Sequence, residues 1–149
     1  MFLGCRATPD ARRRWALMPE SSISPDTRLR VLCLEDNPLI VFHLEQLIED
    51  LGHEFAGSFE SFADLKADAS LDRIDCALVD IDLADGPTGP AAARWLSSKG
   101  IPCIFVTGQE QVAARHPDVA VDTVVKPITP AALAAALTLL ANAKRPSSD

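Results

Sequence analysis

The stretch IDCALVDIDLADG, residues 74–86, contains an apolar run that ends in two closely spaced carboxylates. Asp80 follows the apolar residues directly, and Asp82 comes two positions later. A carboxylate at the end of a buried strand loses its solvation, so a cation is needed to compensate its charge. The stretch therefore predicts a strand over residues 74–80 with a charged site at its end.

On both sides of this strand, short apolar runs alternate with segments of helical period. Five such strand–helix units favour an α/β fold in which helices cover both faces of a parallel sheet. Pro38 suits the first turn of the first helix, Gly52 suits its end, and Thr129 suits the cap of the last helix. The predicted strands cover residues 29–34, 53–57, 74–80, 101–107 and 119–125, and the predicted helices cover residues 38–51, 59–69, 90–98 and 129–145.

Polar side chains follow four of these strands. Because ligands of such sheets bind beyond the carboxyl ends of the strands, we expect these side chains to converge. They are Glu35, Asp36, Asp80, Thr107 and Lys126.

The chemistry of this group indicates a metal and a phosphoryl acceptor. Three close carboxylates repel one another, and carboxylate oxygens are ligands that Mg²⁺ prefers. We therefore expect Mg²⁺ at this edge, with Lys126 as a second positive charge. Asp80 is then a candidate nucleophile for phosphoryl transfer, and the hydroxyl of Thr107 is a candidate donor to a phosphoryl oxygen.

Composition narrows the class of protein. The 149 residues are 48% hydrophobic and carry a net charge of −7, and no apolar run approaches the length of a membrane span. The acidic balance argues against direct nucleic-acid binding. Four cysteines without metal-ligand spacing are typical of free thiols in a reducing compartment, so we expect a cytoplasmic protein. The segment 1–27, rich in Arg, Pro and Ser, is predicted to be a mobile extension.

Four segments resemble the receiver domain of bacterial two-component response regulators. The resemblance covers residues 28–145 and leaves 146–149 as a tail. It implies a flavodoxin-like doubly wound sheet of strand order 2-1-3-4-5. The segments are VLCLEDNPLI (31–40), DCALVDIDLADGPTG (75–89), IFVTG (104–108) and VVKPI (124–128).

The resemblance also implies a role for each site residue. A sensor histidine kinase or phosphotransfer protein would donate its phosphoryl group to Asp80, and the product would signal through a downstream protein. Glu35, Asp36 and Asp80 would hold Mg²⁺, together with the main-chain carbonyl of Asp82. Thr107 would be the switch hydroxyl and Lys126 the phosphate-binding lysine. Such a chain is not a turnover enzyme.

Two departures from the family pattern bear on switching. Thr123 stands where receivers usually place an aromatic residue, and the short spacing from Thr107 to Lys126 predicts a brief fourth helix. FVTG with the missing aromatic resembles an atypical single-domain subgroup with an F-A-T-G motif. Because one helix accounts for most of residues 127–149, we expect output through a protein contact or a phosphoryl relay.

Three alternatives stay open on the sequence. DIDLADG also resembles the first motif of haloacid-dehalogenase-like phosphatases, although their metal-binding acids follow the lysine. Glu35 with Asp80 and Asp82 resembles the Toprim arrangement of nucleic-acid enzymes, which leaves Lys126 unexplained. A receiver-like module that is never phosphorylated is the third. The sequence also leaves open whether the chain forms a homodimer.

Overall fold

The computed structural model describes residues 28–68 and 70–144, which form a five-stranded sheet with helices on both faces. The strands are β1 (Arg30–Leu34), β2 (Glu54–Phe59), β3 (Cys76–Val79), β4 (Cys103–Thr107) and β5 (Asp122–Val125). The helices are α1 (Pro38–Asp50), α2 (Phe62–Ala67), α3 (Gly89–Ser98), α4 (Glu110–Ala113) and α5 (Pro130–Lys144). The predicted extension at 1–27 and the tail at 146–149 lie outside the described residues.

The order of the strands is β2-β1-β3-β4-β5, and each neighbouring pair is parallel. The order turns back at β1, because β2 lies on one side of it and β3 on the other. The predicted doubly wound α/β fold of order 2-1-3-4-5 is confirmed.

Two apolar cores lie on opposite faces of the sheet. On one face, Leu44 and Ile48 of α1 pack with Leu133 and Leu137 of α5 against the strands. On the other face, α2, α3 and α4 contribute Leu65, Leu96 and Ala113 among others. Since the strands are covered on both sides, their sequences are continuous apolar runs.

The ends of two helices follow the predicted signals. The side chain of Asn37 caps α1 by accepting from the N–H of Leu39, at 3.0 Å, and Pro38 is the first helical residue. Gly52 follows the helix with a φ of 90°, a conformation that glycine adopts without strain. At α5, the hydroxyl of Thr129 accepts from the N–H of Ala132 at 3.1 Å.

Several predicted boundaries were wrong by a few residues. The last strand begins at Asp122, not at 119, because pairing with β4 starts at Ile104↔Asp122 and Val119 lies in a turn. The second strand continues to Phe59 through its pairing with Leu34, so α2 begins at Phe62. The fourth helix is as brief as predicted, with four residues in α4.

None of the described helices combines the length and the apolar character needed to cross a membrane.

Candidate functional site

The carboxyl edge of the sheet brings together most of the predicted polar residues. Three backbone bonds fix the segments that carry them, because each links one strand end to its neighbour. The N–H of Glu35 donates to the carbonyl of Phe59 at 3.0 Å, and that of Asp80 donates to Leu34 at 3.0 Å. The N–H of Lys126 donates to the carbonyl of Thr107 at 2.9 Å. The ends of the strands that carry the site are therefore tied to one another through the backbone.

Asp80 directly follows β3 and is 7% exposed. Its Oδ1 accepts from the N–H of Ile81 at 2.8 Å, and its Oδ2 accepts from the Nζ of Lys126 at 3.0 Å. Both carboxylate oxygens thus have a donor. The carboxylate is oriented by the backbone N–H of Ile81 on one side and by the Lys126 ammonium on the other.

The ammonium of Lys126 also donates to Oε1 of Glu35 at 2.8 Å. Burial by itself lowers the pKa of Lys126, but its hydrogen bonds to Glu35 and Asp80 outweigh that effect and leave the pKa raised. The side chain is therefore a fixed positive charge at neutral pH. The peptide bond from Lys126 to Pro127 is cis.

Glu35 is almost completely buried, whereas Asp36 is exposed. Burial raises the pKa of Glu35, and the neighbouring Asp80 raises it as well, while the Lys126 ammonium acts in the opposite direction. The second oxygen of Glu35, Oε2, accepts from the N–H of Asn37 at 3.1 Å. Glu35 is thus a buried acid whose two oxygens have separate donors.

Glu35, Asp36 and Asp80 each place one carboxylate oxygen within 4.8 Å of those of the other two. Within residues 28–68 and 70–144, Lys126 is the one cation paired with this cluster, so two of its three negative charges have no ion-pair partner there. Hard divalent cations bind oxygen ligands of this kind, and Mg²⁺ is commonly held by one or two carboxylates together with phosphate oxygens. The donor set and its charge therefore fit Mg²⁺.

Asp82 and Thr107 are linked to each other through Gln109. The carboxylate of Asp82 is exposed and accepts from the side-chain amide of Gln109, so it points toward the loop after β4. Thr107 is completely buried, and its Oγ1 accepts from the N–H of Gln109 at 2.9 Å. Because the oxygen is the acceptor in that bond, the hydroxyl proton is free to donate elsewhere. A Cβ at Gly108 would meet no atom within 4 Å, so the space beside Thr107 is open.

Three residues that contact the site were not predicted from the sequence. Asn37 supplies a donor to Glu35, and Gln109 contacts both Asp82 and Thr107. Gly89 opens α3, where a Cβ would lie 2.0 Å from the carbonyl oxygen of Asp80. Only Gly89 had a signal that could have been used, since a glycine at the start of a helix often permits a close backbone approach.

Three kinds of comparison with known proteins agree with this geometry. The family model for the response regulator receiver domain matches residues 31–138. The phyllosphere-induced regulator PhyR of Methylorubrum extorquens is 32% identical over 119 residues, and the match covers 77% of this chain and 44% of that protein. The chain therefore spans less than half the length of this relative.

Two solved structures are similar to this chain in fold. The solution structure of SdrG from Sphingomonas melonis Fr1 has a TM-score of 0.66 at 30% identity, over 79% of this chain and 98% of that one. A mutant of the anti-anti-sigma factor PhyR from Bartonella quintana has a TM-score of 0.67 at 30% identity, over 89% of this chain and 56% of that one.

Proposed function

Since this chain belongs to the response regulator receiver domain family, we propose that Asp80 accepts a phosphoryl group from a histidine of a sensor kinase or phosphotransfer protein. The family consists of signalling regulators rather than turnover enzymes. Membership in it therefore argues against the phosphatase and Toprim alternatives. The proposed receiver domain comprises residues 28–145.

One observation carries the proposal: the ammonium of Lys126 joins the buried carboxylate of Asp80 to Glu35, with Asp36 beside them. Phosphoryl transfer depends on positioning and on neutralising charge more than on acid–base help. Asp80 supplies an oriented nucleophile, and Lys126 supplies a charge that stays in place. In this proposal Glu35, Asp36, Asp80 and the carbonyl of Asp82 hold Mg²⁺.

The transfer can be written with the groups in place. An oxygen of Asp80 forms a bond to phosphorus as the phosphorus–nitrogen bond of phosphohistidine breaks. The electron pair of that bond stays on the imidazole, which takes up a proton. In this proposal Lys126 and the hydroxyl of Thr107 interact with the phosphoryl oxygens, and Mg²⁺, if bound, would supply further positive charge against them.

A face of α1 fits the approach of the donor. Leu39 and Phe42 are 77% and 62% exposed, and their spacing places them on one side of the helix. The helix begins directly after Asp36 and Asn37, and His43 Nε2 lies 3.4 Å from the carbonyl of Ile128, just beyond Lys126. An exposed apolar pair beside an acidic site indicates a protein-binding surface. We infer that the donor protein docks on this face.

Output through a second protein is the other part of the proposal. One relative is described as an anti-anti-sigma factor, and this chain covers 56% of that structure. We infer that this chain changes its affinity for a protein target when it is phosphorylated. Cys33 and Cys103 are buried free thiols, which favours a reducing compartment, and we propose the cytoplasm.

The proposal is tested by incubating the full chain with acetyl phosphate and Mg²⁺ and recording the intact mass. We expect a single labile phosphoryl adduct. It should be absent from Asp80→Asn and from samples without Mg²⁺, and much reduced in Lys126→Ala. Asp64→Asn, which changes an exposed carboxylate in α2, is the matched control and should be labelled normally.

Two results would contradict the proposal. An unmodified chain under all these conditions would support the receiver-like module that is not phosphorylated. An adduct of equal yield in Asp80→Asn would place the acceptor elsewhere.

A further inference from the structure

An aromatic and cationic surface lies on α2 and α3, away from the exposed face of α1. The rings of Phe62 and Trp95 meet edge to face, with 6.1 Å between their centroids. The ammonium of Lys66 lies 4.4 Å from the centre of the Phe62 ring, and that of Lys99 lies 4.8 Å from the centre of the Trp95 ring. We call these four residues the aromatic–lysine patch.

Both rings are half-buried and both lysines are exposed. The rings pack on the core with one side and border solvent with the other. Tryptophan in such a position is the side chain most often found to dominate a protein interface.

A cavity adjoins the patch. Trp95 and Lys99 line it, and Leu71, Ile74 and Ile101 add apolar surface to the lining. Its volume is about 440 Å³, which is enough for one large apolar side chain. Of the described residues that line it, only Asp72 carries a carboxylate.

The charges of the patch contrast with those of the chain as a whole, whose net charge is −7. Among residues 28–68 and 70–144, Lys126, Arg30 and Arg94 form ion pairs with carboxylates, but no ion pair joins Lys66 or Lys99 to one. Their ammonium groups lie over ring faces, where a further carboxylate can still bind them. The patch therefore complements an acidic segment that also carries an apolar side chain.

We propose that the aromatic–lysine patch docks an acidic peptide segment of a partner protein and that an apolar side chain of this segment occupies the cavity beside Trp95. Carboxylates of the segment pair with Lys66 and Lys99. This docking does not depend on phosphorylation of Asp80, so it stands apart from the proposed function.

The test selects phage-displayed random peptides on the full chain and then measures the affinity of the most enriched synthetic peptide. We expect enriched sequences that combine Asp or Glu with a large apolar residue. Amide chemical-shift changes on binding should centre on Phe62, Lys66, Trp95 and Lys99. Affinity should fall about tenfold or more in Lys66→Glu/Lys99→Glu and should weaken with added salt.

The matched control is Arg28→Glu/Arg115→Glu, which makes the same change in charge at two other exposed positions and should leave the affinity within about twofold. Enrichment of neutral or basic peptides would overturn the proposal, as would no enrichment or equal affinity in the Lys66→Glu/Lys99→Glu variant. Comparable binding of polyuridylate or of anionic phospholipid vesicles to the same patch would also overturn it, because the surface would then be a general anion site.

Discussion

Lys126 connects three parts of the site. Its ammonium donates to Glu35 and Asp80, and its backbone N–H donates to the carbonyl of Thr107. The two carboxylates more than offset the effect of burial, so the pKa of Lys126 is raised and the side chain is charged at neutral pH. A cation is therefore present beside Asp80 whether or not a metal is bound.

His53 makes stability depend on pH. It is buried, and its Nδ1 accepts from the N–H of Leu29 at 3.0 Å, which only the neutral ring can do. Burial lowers the pKa of His53 below its ordinary 6.5, and the charge of Arg28 lowers it further. Well above pH 6.5 the ring is neutral in both the folded and the unfolded chain. Its contribution to the free energy of unfolding is then complete. Just below that value only the unfolded chain takes up the proton. The free energy of unfolding therefore decreases as the pH is lowered.

Urea unfolding between about pH 7.5 and about pH 5.5 measures this effect. We expect His53→Asn to be less stable than the unaltered chain at the higher pH and to show a smaller loss on acidification. Equal slopes for both proteins would contradict the assignment to His53.

Gly89 is expected to tolerate no side chain. A Cβ there would lie 2.0 Å from the carbonyl oxygen of Asp80 and 2.7 Å from the Cα of Ile81, and both are backbone atoms. Gly89→Ala should therefore lower the free energy of unfolding by about 1–3 kcal/mol and should reduce phosphorylation by acetyl phosphate. Gly108→Ala is the control, since its Cβ would meet no atom within 4 Å, and it should stay within about 0.5 kcal/mol. Similar unfolding curves for the two variants would contradict this explanation.

Residues at strand ends could be predicted from the sequence because the carboxyl ends of parallel strands share one edge. Glu35, Asp80 and Lys126 meet there as expected. The partners of individual side chains could not be predicted in the same way. Gln109 reaches Asp82, and His53 reaches Leu29, through contacts between distant parts of the chain that depend on loop geometry.

Among the elements, the loop after β3 connects the site to α2 and α3. The N–H of Ala84 donates to the carbonyl of Glu60 at 2.8 Å, and the carboxylate of Asp85 accepts from the N–H groups of Phe62 and Ala63. A hydrogen bond from Thr88 lowers the pKa of Asp85 most strongly, and those N–H groups lower it further. Asp85 thus caps a helix that begins 23 positions earlier in the chain, a partnership that no local sequence signal indicates.

Element boundaries were less predictable than element types for a related reason. The apolar run at 119–125 has the composition of a strand, yet only Asp122–Val125 pairs with β4. Val119 is buried in a turn instead, so its apolar character serves the core and not the sheet. Periodicity reports burial, whereas pairing decides where a strand begins.

Substitutions on the exposed face of α1 should slow phosphoryl transfer from the donor protein but not from a small phosphodonor. Leu39→Ala/Phe42→Ala removes the apolar contact area and leaves Asp80 unchanged. We expect transfer from the histidine kinase that phosphorylates the unaltered chain fastest to slow by about tenfold or more. Labelling by acetyl phosphate should not change. Val121→Ala, at another exposed apolar position, is the control, and transfer from the kinase at the unaltered rate in the α1 variant would contradict a docking role.

At the scale of the whole molecule, the sheet separates the two surfaces that we propose as docking sites. α1 and α5 cover one face, and α2 and α3 cover the other, while the acidic cluster lies at the edge between them. A donor on α1 and a partner on the aromatic–lysine patch could therefore bind at the same time.

The identity of the acceptor is tested most directly by locating the phosphoryl group. After phosphorylation, borohydride reduces an aspartyl phosphate to homoserine, and mass spectrometry of the peptides identifies the converted residue. We predict homoserine at position 80 and at no other aspartate. Conversion at Asp36 or Asp82 instead, or an unconverted Asp80 in a chain that carries the phosphoryl mass, would contradict the account.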